Sequence, residues 1–423
     1  MQTREEFPRA IVHFDGDSFF ASVEQVLDYR LRGKPVVTGG ERGCATALSY
    51  EAKRRGATRG MTMRKVKALV PDVVILPGNY TAYSIFAKRM YRIAERFTPV
   101  VEEYSIDECF ADITGLAKEG MPYETIARNI KEALESDLGI TFGVGLAPTK
   151  TLAKIASSKY KPAGFTTLPH SKRKAFLADV PIAAVWGVGF STALRLEGLG
   201  IMTALDFAEK DADWLRENKI SKPYKDLWNE LNGRMTRPVE AEHTSSPQSV
   251  IKSRTFRATN EKRLLVAELA NNLEAACAKL RRHGMKARYC RFYLKTQSFT
   301  YAARILDLGV PHADPTVFLQ ELLKQFDAIR DPSERYRATG IGLYGLVRAD
   351  ALTPDLFGKS AGIETHAPLI AALDRLNGKY GHHTVHLAES LPAAHTHRRP
   401  HGPTLSIEKR KKTLAVPYLG VAR

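Results

Sequence analysis

The stretch KARYCRFYLKTQSFTYAARIL, residues 286–306, decides the fold. Arg288, Cys290, Phe292 and Leu294 alternate with Tyr289, Arg291, Tyr293 and Lys295. A period of two marks a strand with one face packed and the other open. Lys286–Thr296 and Phe299–Leu306 read as a hairpin pair. Working outward, Val250–Arg257 reads as a strand, and Thr259-Asn260 precede Glu261 as a helix start, with the helix running to about Arg282. Thr316–Ile329 reads as a second helix and Tyr336–Val347 as a last strand. The order βαββαβ predicts a four-stranded sheet backed by two helices, its free face carrying aromatic and basic groups.

Upstream, residues 1–170 mix strand-like and helix-like segments. Ile11–Phe14, Pro35–Thr38 and Val73–Leu76 are short apolar runs, and Tyr80–Phe97 and Tyr123–Glu135 have helical periodicity. Val101–Thr114 reads as a strand, a sharp feature and another strand. Ile140–Leu146 is a further strand and Lys150–Lys159 a helix, after which Lys161-Pro-Ala-Gly164 marks a break. The expected class is α+β, in several domains. Residues 171–240 are helical pieces joined by Gly-rich turns, and 236–249 (TRPVEAEHTSSPQS) have a linker's composition.

The chain has 423 residues, 44% hydrophobic and 26% charged, which excludes a disordered protein. No apolar run reaches the ~18 residues of a membrane helix, and the N-terminus lacks a secretory signal's apolar stretch. Cys44, Cys109, Cys277 and Cys290 lie far apart, so neither a disulfide framework nor a zinc ribbon is expected, and a reducing cytoplasm fits. The net charge of +17 is uneven: +4 on residues 1–245, +8 on 246–350 and +5 on 351–423. A near-neutral body followed by a basic module points to a polyanion partner. Residues 351–423 hold seven of the twelve histidines and the run Lys409-Arg-Lys-Lys412. No cysteine accompanies those histidines, and they are read as a partly structured tail.

Three acids stand out. Asp15 ends the apolar run in IVHFDGDSFF, and Asp107 and Glu108 lie in YSIDECF. Carboxylates at strand ends can converge across adjacent strands. Hard cations such as Mg²⁺ take one or two such carboxylates plus substrate phosphates. Asp107 and Glu108 are neighbours, so both reach one site only where the strand bends or ends. Taken singly, each acid reads equally well as a cap or a surface group. Asp15-Gly-Asp17 also resembles the DxD signature of metal-dependent glycosyltransferases. Tyr50 and Lys53 lie about one turn apart on a predicted helix, and Lys150 and Lys154 stack on another. Such cations suit a triphosphate, and equally a solvated helix face. Trp186-Gly-Val-Gly189 through Ile201 looks like a helix-hairpin-helix, whose glycines let backbone N–H groups approach a phosphate.

Together these segments resemble the Y-family translesion DNA polymerases of the DinB/UmuC group. The resemblance rests on Asp15–Glu24, Ser49–Lys53, Gly60-Met61, Tyr104–Glu108, Gly143–Ser157, Trp186–Ile201 and Ser253–Phe256, in the family's order over about 350 residues. It implies a right-hand polymerase: palm (1–18 and 80–170), fingers (19–79), a thumb with helix-hairpin-helix (171–240), a linker (241–249), a βαββαβ little finger (250–350) and a tail (351–423). It implies that Asp15, Asp107 and Glu108, with the Gly16 carbonyl, hold two Mg²⁺ ions. Phe19, Phe20, Tyr50, Lys53 and Lys154 would contact the incoming dNTP, with Phe20 as the steric gate against a ribose 2′-OH. Primer-template DNA would meet Gly187, Gly189, Arg254, Arg288 and Arg291. Leu356 and Phe357, in Ala351–Phe357, resemble a sliding-clamp-binding peptide without its leading Gln. Lys53 stands where many DinB-like members have Arg. With the tail segment Ala371–Val385, that leans toward the UmuC branch, for which accessory subunits are common partners. The implied role is low-fidelity, low-processivity synthesis past lesions in the cytoplasm, within DNA repair, the SOS response and mutagenesis. The rivals are a non-catalytic DNA- and clamp-binding adaptor on the same fold, a helix-hairpin-helix glycosylase and a glycosyltransferase. The last two leave residues 1–160 and the basic module, respectively, unexplained.

Overall fold

The computed structural model describes residues 5–241, 247–351, 361–381 and 383–396, in two compact units that part between residues 243 and 244. In the first unit, β1 (Ile11–Gly16) leads into α1 (Phe19–Leu27). A small sheet follows, made by β2 (Val36–Thr38) and β3 (Ala47–Leu48), with helices α2 (Tyr50–Arg54) and α3 (Met63–Leu69), and by β4 (Val74–Leu76). Its strand order is β3-β2-β4. Then come α4 (Tyr80–Glu95), the pair β5 (Val101–Ser105) and β6 (Glu108–Asp112), α5 (Tyr123–Leu138), β7 (Phe142–Ala147), α6 (Lys150–Ser158) and β8 (Phe165–Thr167). These strands form a five-stranded sheet in the order β5-β6-β1-β7-β8.

β1 is central and buried on both faces, which is why its apolar run is unbroken. Val12 and Phe14 pack with Tyr83, Phe86 and Met90 of α4 and with Ile126, Ile130 and Leu134 of α5. Ile11, on the other face, packs with Leu152, Ala153 and Ile155 of α6. By the same alternation His13 and Asp15 point to the α6 side. That parity is what later sets a carboxylate beside the lysines of and after α6.

Short helices complete this unit: α7 (Arg173–Ala178), α8 (Phe190–Gly198), α9 (Ala204–Ala208), α10 (Ala212–Glu217) and α11 (Lys222–Leu231). The expected helix-hairpin-helix has one full helix only. A single 3-10 turn, Ile182–Ala184, stands before the Gly187-Val-Gly189 loop and α8 after it. Two carboxylates, buried Glu230 of α11 and part-buried Glu102 of β5, hold α11 and the sheet against α6. Glu230 accepts from the backbone N–H groups of Thr151, Thr236 and Arg237, and Glu102 pairs with Lys150 Nζ at 2.6 Å.

The second unit has the predicted order: β9 (Val250–Thr259), α12 (Lys262–Arg282), β10 (Met285–Thr296), β11 (Tyr301–His312), α13 (Pro315–Phe326) and β12 (Tyr336–Arg348). The strands run antiparallel in the order β11-β10-β12-β9. Leu265, Leu269, Leu273 and Leu280 of α12 and Phe318 and Leu322 of α13 pack on Cys290, Phe292, Leu294, Ile341 and Leu343. The expected alternation is corrected at its start. The pairing shifts between Ala287 and Tyr289, so Ala287 and Cys290 are both fully buried and Arg288 is pushed off the packed face.

The tail is more than an appendage where it is described. α14 (Ala361–Tyr380) and α15 (Leu391–Thr396) follow β12, and Asp374 pairs with Arg281 of α12 at 2.6 Å. Leu387 N–H donates to Glu274 of the same helix. Linker residues 242–246, the peptide with Leu356 and Phe357, His382, His397, His401 and the run 409–412 lie outside the described residues.

Candidate active site

The sheet brings the three acids together. β1 and β6 pair with Asp15 opposite Glu108. β5 stops at Ser105 and β6 starts at Glu108, so Ile106 and Asp107 form the turn. That turn resolves the parity problem of two adjacent acids: Asp107 is off the strand, and its carbonyl accepts from Gly16 N at 2.8 Å. Gly16 has to be glycine, because a Cβ there would come within 2.8 Å of the Phe19 ring. Asp15, Gly16, Asp107 and Glu108 line one cavity of about 770 Å³, with Phe20, Tyr50, Lys53, Arg59 and Lys161 on its other walls.

Cationic side chains already sit on these acids. Lys161 Nζ lies 2.5 Å from Asp15, and Lys154 pairs with Glu108. His13 Nε2 is 3.4 Å from the same Glu108 carboxylate, and its Nδ1 is 2.8 Å from Ser157 Oγ. Asp107 accepts from Ser105 Oγ at 2.5 Å. Burial pushes the Asp15 carboxyl up to about 6, against the pull of Lys161. Burial alone would raise Glu108 as well, but the hydrogen bonds and charges of His13 and Lys154 hold it down at about 2. Burial keeps His13 neutral, with its pKa down at about 4. As they stand, no three such acid, imidazole or thiolate groups among the described residues form a metal cluster. A Mg²⁺ site needs fewer protein ligands than that, since phosphates and water complete its shell.

Phe20 and Phe19 part company. Phe20 stacks on Tyr83, which is anchored by its hydroxyl to buried Glu24 at 2.8 Å. Phe19 also reaches the cavity, but it is 3% exposed and packs mainly in the core. Lys53 lies over the Tyr50 ring at 4.4 Å, and burial, then the charge of Lys161, lowers its pKa.

Lys154 is not on the cavity wall. Its ammonium is held by Glu108 of that wall under the rings of Tyr104 and Trp186, while Lys161, which the sequence reading does not single out, lines the cavity. Lys161 is not singled out by the sequence, where Lys161-Pro-Ala-Gly164 reads only as a break; a lysine one turn past a basic helix is the available signal. His13 escaped because an apolar strand hides one polar member.

The expected DNA contacts are scattered. Gly187 (φ +91°) and Gly189 lie in an open loop before α8, beside Phe190 at 82% exposure. Arg291 is exposed on the open sheet face of the second unit. Arg288 is engaged, with two hydrogen bonds of 2.8 and 2.9 Å to Asp307. Arg254 pairs with Thr339, whose side chain meets Asn272 of α12. It therefore takes the helix side of edge strand β9, away from the open face.

The fold and this cavity define a right-hand nucleotidyltransferase with its acids at one end of the five-stranded sheet, two on the paired strands β1 and β6 and one on the turn before β6. The profile of the impB/mucB/samB family matches residues 14–158, and that of its C-terminal domain matches residues 247–356. The DNA polymerase IV of Caulobacter vibrioides is 32% identical over 379 residues, covering 88% of this chain and 92% of that protein. The DNA polymerase IV of Moorella thermoacetica is 33% identical over 402 residues, covering 91% and 97%. A solved Y-family DNA polymerase chimera matches with a TM-score of 0.68 at 25% identity, over 80% of this chain and 99% of that one. The chain belongs to this family, as a DinB-type member of the Y-family DNA polymerases. These relatives lie on the DinB side of the group; the UmuC-like leaning read from Lys53 and the tail is not where they point.

Proposed function

We propose that this chain is a translesion DNA polymerase that transfers a nucleotide from a dNTP to a primer 3′-OH as the template directs. The observation that carries the reading is the convergence of Asp15, Asp107 and Glu108 on one cavity wall with Tyr50, Lys53 and Lys161 facing them. All three acids are present, which disfavours an adaptor that lacks chemistry.

The acids fit divalent cations. They offer hard oxygen donors, and two of them already draw ammonium groups to themselves. Asp15, Asp107 and Glu108 and the Gly16 carbonyl would hold two Mg²⁺. When bound, such ions stabilise charge on the attacking and leaving oxygens of a phosphoryl transfer. The chain's own groups do the rest. Lys53 and Lys161 neutralise the triphosphate, and Tyr50 orients it. Phe20 closes the sugar side against a 2′-OH. The palm would be the five-stranded sheet, the fingers the small sheet and its helices, the thumb the helices from α7 to α11, and the little finger the second unit. The Gly187–Gly189 loop and the basic open face around Arg291 would hold primer-template DNA by its phosphates, without reading sequence. Leu356 and Phe357 would engage a sliding clamp.

The test is primer extension on an undamaged template with Mg²⁺ and four dNTPs, wild type beside an Asp107→Ala, Glu108→Ala double variant. Short, distributive extension that falls about a thousandfold or more in the variant is expected. Equal extension by both proteins would remove the site.

A further inference from the structure

We propose that Asp17, the second acid of Asp15-Gly-Asp17, is the positioning residue of the triphosphate cradle and no ligand of the cations. The inference rests on the polymerase reading above. Asp17 is 1% exposed and is absent from the cavity wall that Asp15 lines. Its carboxylate instead gathers three donors from three separate pieces of chain. Tyr50 Oη of α2 donates to Oδ1 at 3.2 Å. Thr141 Oγ1, just before β7, donates to Oδ2 at 2.9 Å. Ala163 N, in the loop after α6, donates to Oδ2 at 2.6 Å.

Two of these donors lead to the groups that face the cavity. The Tyr50 hydroxyl fixes the ring over which Lys53 lies. Ala163 is two residues from Lys161, whose Nζ is 3.9 Å from Asp17 and 2.5 Å from Asp15. The loop has little room to shift, since a Cβ at Gly164 would meet the Tyr160 carbonyl oxygen at 2.4 Å. One buried carboxylate thus sets the position of every phosphate-facing cation named above except Arg59. The third donor anchors it: Thr141 also accepts Asp17 N at its carbonyl, 2.9 Å away. A buried carboxylate satisfied by three donors is rigid, and its bonds are of the strong, charge-assisted kind.

An Asn in this place keeps the shape but loses the charge and one acceptor oxygen, so the donors cannot all be met. Single-nucleotide incorporation at saturating primer-template and Mg²⁺, with dATP binding measured separately by calorimetry, tests the assignment. Asp17→Asn is expected to raise KM for dATP about tenfold, the factor of one lost charge-assisted hydrogen bond, and to weaken dATP binding by a similar factor. Its kcat should stay within about threefold of wild type, and the Mg²⁺ half-saturation should not move. Adding Tyr50→Phe to Asp17→Asn should cost less than Tyr50→Phe costs alone, because part of the tyrosine's effect runs through the same bond. Thr141→Val, outside the cavity wall, should raise KM about threefold and serves if Asp17→Asn does not fold. A collapse of kcat with a raised Mg²⁺ requirement would move Asp17 among the cation-holding acids and overturn the proposal. So would an unchanged KM in Asp17→Asn, or in Thr141→Val where that variant has to decide. Absence of incorporation by the wild type would instead strike the polymerase reading itself.

Discussion

The ring of Phe20 lies face to face with that of Tyr83, centroids 4.2 Å apart and planes 10° from parallel. Tyr80 meets Phe20 edge-on at 5.7 Å. The proposed gate is therefore a braced ring, held from α4 by Tyr80 and Tyr83.

Two variants should separate the gate from its brace. Phe20→Ala is expected to raise ribonucleotide incorporation relative to deoxynucleotide by about tenfold or more. Tyr83→Leu removes the stacked ring and leaves the Glu24 carboxylate without its hydroxyl donor, so sugar selectivity should fall by a smaller factor while stability drops by about 2–3 kcal/mol. Competing incorporation of dATP and ATP, with urea unfolding alongside, checks both. Unchanged selectivity in Phe20→Ala would move the gate elsewhere.

Asp15 and His13 share a face of β1 and titrate with opposite consequences for stability. His13 is held neutral, its folded pKa down at about 4 from 6.5. Its contribution is whole above pH 6.5 and is lost as pH falls toward 4, by about 3 kcal/mol. Asp15 is raised from 3.8 to about 6, so its ionised form burdens the fold above pH 6 and relief comes as pH falls toward 4. Without added metal, the stability of Asp15→Asn minus that of wild type should shrink by about 3 kcal/mol between pH 6 and 4. His13→Gln minus wild type should rise by a like amount between pH 6.5 and 4. Denaturant melts across that range read both, and parallel curves would mean that burial does not set these protonation states.

Lys150 is 6% exposed at its side chain and donates to both oxygens of Glu102, whose Oε2 also accepts Glu240 N at 2.9 Å. Glu102→Ala would leave a buried ammonium without its carboxylate, at a cost of about 3–5 kcal/mol. Replacing both, Glu102→Leu with Lys150→Met, should recover most of that loss. Thermal unfolding of the two variants decides; equal loss in single and double variants would make packing, not charge, the cause.

On the second unit, Arg291→Ala should weaken duplex binding a few-fold and lower the slope of log affinity against log salt by about 1. Arg288→Ala should do less, because its guanidinium is already committed to Asp307. Salt titrations of fluorescent primer-template read the difference, and equal slopes for both variants would show that the ion pair opens on DNA.

Much of this was legible in the residues. Period-two alternation in β10, helical spacing in α4 and α12 and the apolar run of β1 are local consequences of how side chains leave a backbone, and they needed no partner to be read. The acids were legible as candidates for the same reason: each ends or interrupts an apolar run. The face that Arg288 takes is not legible, because a β-bulge depends on what the neighbouring strands require, nor is the Glu108 partner of Lys154, because an ammonium goes to the carboxylate that packing brings near.

By itself, then, the sequence determined the elements, their order, the basic bias of the second unit and the identity of the three acids. Only the tertiary structure decided that Asp107 and Glu108 share a site, through the turn at Ile106-Asp107, and that Lys161 faces it. It also decided that Asp17 turns inward to Tyr50, Thr141 and Ala163 while Asp15 turns to the cavity. The physical reason is range. Propensity and periodicity act over a few residues of chain, whereas a carboxylate's partner is whichever donor the packing brings within 3 Å, and for Asp17 two of the three come from more than a hundred residues away.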